Sequence, residues 1–218
     1  MASIALDKGR PQSRNEEMAN SLSHGLGVVA AIVGTPILII HAANSDDIGY
    51  LVGVSIFCAT LILLYLSSTL YHAMPPGRAK RIFQAIDHSL IFLLIAGTYT
   101  PFTLGVLNGA WGWSIFGVVW GLALFGILLR LFDKAHRPIF YNMLYLMMGW
   151  VMIVAFEPLI DKVATEGLIW LLAGGLSYTL GIIFYITDSR LPYGHLIWHL
   201  FVLGGSVSHY LAVYWYAV

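Results

Sequence analysis

Apolar residues fall in seven long runs along the chain, each closed by a short stretch rich in Pro, Gly or charge. A helix rises about 1.5 Å per residue, so about 20 apolar residues cross the roughly 30 Å of a bilayer's hydrocarbon. The runs predict transmembrane helices at Leu22–Ala42, Gly49–Ala73, Ile82–Leu104, Trp111–Leu131, Ile139–Phe156, Gly167–Thr187 and Tyr193–Ala217. The breaks read "NSDD", "MPPGRAKR", "NGAWG", "RLFDKAHRP", "EPLIDKVATEG" and "DSRLP". Such dipeptides and charge clusters interrupt helices. There is no internal repeat and no low-complexity tract. The expected architecture is all-α: a polar segment over residues 1–21, then a single seven-helix transmembrane domain over 22–218.

Charge gives this bundle a direction. Lys8, Arg10 and Arg14 precede the first span, and Arg78, Lys80 and Arg81 follow the second. Arg130, Lys134 and Arg137 follow the fourth, and Arg190 follows the sixth. Ten of the eleven basic residues thus share one side, and only Lys162 lies on the other. Lys and Arg in short loops mark the cytoplasmic side. The expected topology has the N-terminus in the cytoplasm and the C-terminus outside, with Tyr214, Trp215 and Tyr216 in the outer aromatic belt.

Composition removes the alternatives. Of 218 residues, 59% are hydrophobic and 10% charged, against about 25% charged in a soluble domain. Net charge is zero, so nothing points to nucleic acid as a partner. Residues 1–21 lack the apolar centre of a cleavable signal peptide. The lone Cys58 forms no intrachain disulfide and reads as a small core residue.

Ionisable groups inside a span are costly, and they are functional candidates by default. Asp87, in "FQAIDHSLIF", lies about two turns into the third span. His72 ends the second span, and His195 and His199 open the seventh. All four sit at one depth, on the expected cytoplasmic side. His195 and His199 are four apart and share a helix face, the spacing with which two imidazoles grip a metal. The pair alone reads first as two interfacial histidines bonded to backbone or headgroups. A third His and a buried Asp at the same depth turn the reading toward a site. Three imidazoles leave one tetrahedral position of Zn²⁺ open for water, as in catalytic zinc sites. Asp87 would then hold that water, act as its base, or orient a ligand. Ser68, one turn deeper than His72, reads on spacing alone as bonded back to the carbonyl four residues earlier.

Together the stretches "NSLSHGLG", "SSTLYH", "AIDHSLIFLLIAGTYTP" and "GHLIWH" resemble the hemolysin III branch of the progestin and adipoQ receptor family, near its bacterial inner-membrane members. The resemblance runs from about Asn15 onward. It implies seven helices with a cytoplasmic N-terminus and one zinc ion near the cytoplasmic face, held by His72, His195 and His199. It also implies that Asp87 reaches the zinc through water and that Ser68 is the motif serine. The wider superfamily includes alkaline ceramidases, which cleave lipid amides with a similar residue set. Without the long N-terminal domain of the hormone receptors in this family, no protein hormone is expected as a ligand; the expected partner is membrane lipid.

Other polar residues receive plainer readings. Asn20 and His24, with Ser23, match the first motif and either line the site or its entrance or form a helix-start cluster. His88 points about 100° away from Asp87 and is expected to meet a neighbour rather than the metal. His209 lies ~15 Å along the helix from His199 and reads as a satisfied core histidine. His41 and His136 lie near loops. Met143, Met147, Met148 and Met152 form a packed or lipid-facing stripe, glycine-rich faces serve packing, and Pro101 is expected to kink or end the third span. Three functions follow: a zinc-dependent hydrolase of lipid amides, a lipid sensor or regulator of membrane lipid homeostasis with structural zinc, and, weakest, a pore-forming cytolysin.

Overall fold

A computed structural model describes residues 10–132 and 138–218. Lys8, Lys134, His136 and Arg137 lie outside the described residues. Helices α1 (Arg14–Ala43), α2 (Ile48–Ala73), α3 (Arg78–Leu104) and α4 (Ala110–Phe132) come first. They are followed by α5 (Pro138–Gly149), a 3-10 turn (Val151–Ala155), α6 (Phe156–Lys162), α7 (Thr165–Thr187) and α8 (Gly194–Tyr216). Seven of these units are long and apolar enough to cross a membrane, with the fifth running over Ile139–Lys162. The protein is therefore an all-helical, seven-span bundle. Its outer faces carry large apolar residues, such as Leu22, Leu26, Val29 and Val33 on α1, as expected where lipid is the solvent.

Two boundaries differ from the sequence expectation. The first helix starts at Arg14, two turns before Leu22. Ser13 caps it: the Ser13 hydroxyl accepts from the Glu16 backbone N–H, and the Glu16 carboxylate accepts from the Ser13 N–H. This reciprocal pairing lets polar residues begin a helix ahead of the apolar run. It brings Glu17 and Asn20 onto the same rod as His24. The fifth span continues past Phe156 to Lys162 but breaks between Gly149 and Phe156. Its freed backbone groups meet one phenol. Tyr99 Oη donates to the carbonyls of Gly149 (2.7 Å) and Met148 (2.9 Å) and accepts from the Met152 N–H (3.2 Å). Such replacement bonding is what allows irregular backbone at membrane depth.

Sequential helices α1 to α4 pack side by side, α7 pairs with α8, and α8 closes back onto α1. The α2–α3 seam is close: a Cβ on Gly53 would lie 2.6 Å from Pro101 Cα and 2.9 Å from the Thr100 carbonyl. Pro101 itself lies inside α3, which ends three residues later at Leu104. Hydrogen bonds cross the bundle from Tyr50 Oη to the Val213 carbonyl (2.8 Å) and from Tyr210 Oη to the Gly34 carbonyl (2.8 Å). Tyr65 and Tyr178 both meet the Ser206 hydroxyl, at 2.6 and 2.9 Å. Such bonds fix which helix faces meet where apolar burial cannot, since lipid is as apolar as the core. Of the methionine stripe, Met148 is buried while Met143 and Met147 face outward.

Candidate metal centre

α2 ends where α8 begins, and that shared level brings His72 from the last turn of one against His195 and His199 from the first turns of the other. Each offers a ligand atom within 4.8 Å of the others. The ring centroids stand 5.0 Å apart for His72–His195 and His72–His199, and 4.8 Å for His195–His199.

The second nitrogen of each ring is already engaged. His72 Nδ1 lies 2.8 Å from Glu17 Oε2, and His195 Nδ1 lies 2.8 Å from Asp188 Oδ2. His199 Nδ1 is 3.2 Å from the Asn20 carbonyl and 3.0 Å from the Ser23 hydroxyl, which donates to that same carbonyl. Carboxylates and carbonyls only accept, so each Nδ1 carries the proton, and each neutral ring keeps its Nε2 lone pair. Three neighbouring imidazolium ions would repel one another, which also favours neutral rings. His72 Nε2 is buried without a hydrogen-bond partner among the described residues. Three oriented lone pairs with their far sides held by acceptors form the donor set of a metal centre. The residues fit a metal, and geometry alone does not choose which one.

Asp87 stands beside this trio, outside it. With Ser68, His24, His88, Tyr185, His195 and His199 it lines a small chamber of about 20 Å³, room for a water or an ion. The hydroxyls of Ser68 and Ser67 face its carboxylate. Ser68 pairs with His24 Nδ1 at 2.7 Å, where spacing alone favoured a carbonyl of its own helix. Ser67 and Thr69 do bond back along α2, to the carbonyls of Leu64 and Tyr65. His24 lies inside the site, stacked on the His199 ring. Asn20 contributes its carbonyl to His199, while its side-chain amide nitrogen donates to Gln12 (2.6 Å). His88 meets a neighbour, as expected: Arg130 reaches its Nδ1, and Tyr185 lies 3.5 Å from Nε2.

One expectation is overturned. His209 is buried, but it is not satisfied: among the described residues neither ring nitrogen has a hydrogen-bond partner, and Nδ1 is fully enclosed. Its ring stacks on Tyr178 instead, and the residues around it on α7 and α8 are otherwise apolar or already paired.

Three acids that hold the site in place escaped the sequence reading. Glu17 joins His72 to Lys80, whose Nζ lies 2.9 Å from its other oxygen. Asp188 closes α7 beside His195. Buried Glu16 accepts from both Arg10 guanidinium nitrogens (2.5 and 2.7 Å) and from the Tyr193 N–H (2.8 Å). It raises the Arg10 pKa. It also straps the chain before α1 to the turn that enters α8, where Tyr193 takes a left-handed φ of 57°. The available signal was spacing: Glu17, Asn20 and His24 recur at three and four residues, one face of a helix.

A larger cavity of about 330 Å³ lies next to this chamber, between α3, α5, α7 and α8. Leu64, Ile91, Trp198 and Val202 border both spaces. Its walls are almost wholly apolar, with Ile95, Phe102, Leu168 and Leu171 among them.

Comparison with known proteins agrees with this architecture. The family model described as "Haemolysin-III related" matches residues 12–210. The chain is 44% identical over 203 residues to "Hemolysin-3 homolog" of Bacillus subtilis, covering 93% of this chain and 95% of the relative. It is 41% identical over 203 residues to "Hemolysin-3" of Bacillus cereus, covering 93% and 92%. It is 30% identical over 213 residues to the human "Monocyte to macrophage differentiation factor", covering 92% and 84%. With its three histidines at one end of a seven-span bundle, the chain belongs to the haemolysin-III-related family of membrane proteins.

Proposed function

We propose that the protein is a zinc-dependent hydrolase of long-chain lipid amides, with its N-terminus and its site on the cytoplasmic side of the cell membrane. The carrying observation is the adjacency of two spaces: an imidazole trio with a carboxylate beside it shares a wall with an apolar cavity that suits an acyl chain. His72, His195 and His199 would hold the ion through Nε2. When bound, zinc supplies Lewis acidity and makes water nucleophilic near neutral pH.

The chain's own groups do the rest. The cavity wall takes the acyl chain and leaves the amide at the mouth, beside Trp198. Asp87 accepts a proton from the attacking water and passes it to the amine nitrogen as the C–N bond breaks and the C–O bond forms. His24 Nδ1–H donates to Ser68, and the Ser68 proton, held by the Asp87 carboxylate at rest, turns to the carbonyl oxygen as charge builds there, once Asp87 has taken up the water's proton. The products are a fatty acid and an amine.

The test is direct. Purified, zinc-loaded protein is incubated with a panel of N-acyl lipids, and fatty-acid release is compared with that of His72→Ala. Release from the wild type alone supports the reading; equal release, or none, overturns it. The broken fifth span beside the cavity favours a second reading, a lipid sensor with structural zinc. Full cellular function in Asp87→Asn with zinc retained would select that reading instead.

A further inference from the structure

Deep in the cavity wall, one polar side chain is without a partner among the described residues, and it bears on which lipid the protein takes. The wall's hydroxyls are already committed. Thr98 bonds the Leu94 carbonyl (2.8 Å), Thr179 bonds the Gly175 carbonyl (2.7 Å), and Tyr145 bonds the His88 carbonyl (2.8 Å). Tyr178 meets Ser206, and Tyr99 meets the fifth span's backbone. Apart from the Trp198 indole at the mouth, His209 is the wall's one hydrogen-bonding side chain with no partner among the described residues.

The ring is held where it is. Only 9% of His209 is exposed, its face lies on Tyr178 with centroids 5.5 Å apart, and its edge rests on Gly174. A Cβ at Gly174 would stand 2.5 Å from Nε2, so the absence of a side chain there makes room for the imidazole. A polar group packed into an apolar wall without a partner is unfavourable unless something that visits the cavity pairs with it. Nδ1 is enclosed, so Nε2 is the nitrogen a visiting hydroxyl would meet, and a hydroxyl can accept from it or donate to it according to the tautomer. His209 follows His199 by ten residues on α8, ~15 Å along the axis, the length of roughly a dozen extended methylenes.

Resting on the hydrolase reading for the position of the amide, we infer that the lipid taken by this cavity carries a hydroxyl far along its acyl chain, and that His209 recognises it. The substrate class is then an amide of a chain hydroxylated at or near its end. The apolar wall holds the methylenes, and His209 sets the preference at the distal end.

Binding tests this without any turnover. Metal-loaded protein in nanodiscs is loaded with a fluorescent fatty acid, which is displaced by dodecanoic acid, its ω-hydroxy derivative and its α-hydroxy isomer. Wild type is expected to favour the ω-hydroxy acid about fivefold over the other two. His209→Phe, which keeps the stack on Tyr178, loses that preference, and His209→Gln keeps part of it. Equal affinity for the three acids, an unchanged preference in His209→Phe, or failure of all three to displace the probe overturns the inference. The wild-type ranking stands even where a variant fails to fold. A protein that ranks the acids as expected yet releases no fatty acid from amides counts against the hydrolase reading alone.

Discussion

His24 of α1 lies flat on His199 of α8, with ring centroids 3.5 Å apart and planes within 7°. The stack joins the first helix to the last at the candidate metal centre, and the Nδ1 of the same ring reaches Ser68 on α2. One side chain therefore touches a ligand and a proposed substrate-binding hydroxyl. His24→Phe keeps the stack and removes the Ser68 bond. Its zinc content stays near that of wild type, while fatty-acid release falls at least about tenfold. Metal analysis and a single-substrate assay on the same preparation check both halves.

Glu17 and Asp188 hold two of the proposed ligands, His72 and His195, by their Nδ1 atoms. Glu17→Gln and Asp188→Asn keep the volume and remove the charge that fixes the Nδ1 proton. Each lowers metal affinity about 10- to 100-fold, measured by competition with a chromophoric chelator. His195→Ala, which removes a ligand itself, loses the metal altogether.

Removing the metal also weakens the fold around it. Three lone pairs that face one another, one of them fully enclosed, lose their common partner. At a free metal concentration a hundredfold above Kd, binding contributes about 2.7 kcal/mol to the folded state. Chelation is therefore expected to lower the thermal midpoint by several degrees. Adding zinc back restores it, and the His195→Ala midpoint does not respond to the chelator.

The seven spans and the cluster were legible from hydropathy and from the cost of placing ionisable groups in a span. Apolar runs fixed the seven spans, and His72, His195, His199 and Asp87 stood out as costly residues at one depth. Tertiary bonding was not legible. Ser68 looked like a residue satisfied by its own helix because spacing describes one helix, while its partner, His24, is 44 positions away. Glu16 looked like a polar tail residue because a capping box extends a helix without apolar periodicity. The break in the fifth span hid because "LYLMMGWVMIVAF" is apolar throughout. His209 was misjudged because sequence locates a buried histidine without saying what it pairs with.

Close helix approach predicts a contrast between two glycines. Gly53 faces the Pro101 backbone, whereas nothing lies within 4 Å of a Cβ placed on Gly117. Gly53→Val forces α2 away from α3 and costs at least about 1–3 kcal/mol. Gly117→Ala is neutral or stabilising by up to about 1 kcal/mol. Thermal unfolding of the two purified variants in one detergent gives the comparison.

The proposed orientation has its own check. A reporter enzyme active only outside the cytoplasm is expected to be active when fused after Val218 and silent when fused after Arg190. The reverse pattern overturns the assignment of the site to the cytoplasmic side.

The phenol of Tyr99 serves three backbone groups of another helix, at the one place where the cavity wall is not a regular rod. A continuous α-helix shares any push along its whole ladder of bonds, but at the 3-10 turn Val151–Ala155 that ladder gives way to a few i→i+3 bonds. Met152 and Ile153 of that turn border the cavity. The wall is thus articulated, and a single oxygen atom serves as its pin. A change in what fills the cavity would register first as backbone bending about that pin, on the side of the bundle where the fifth span meets lipid.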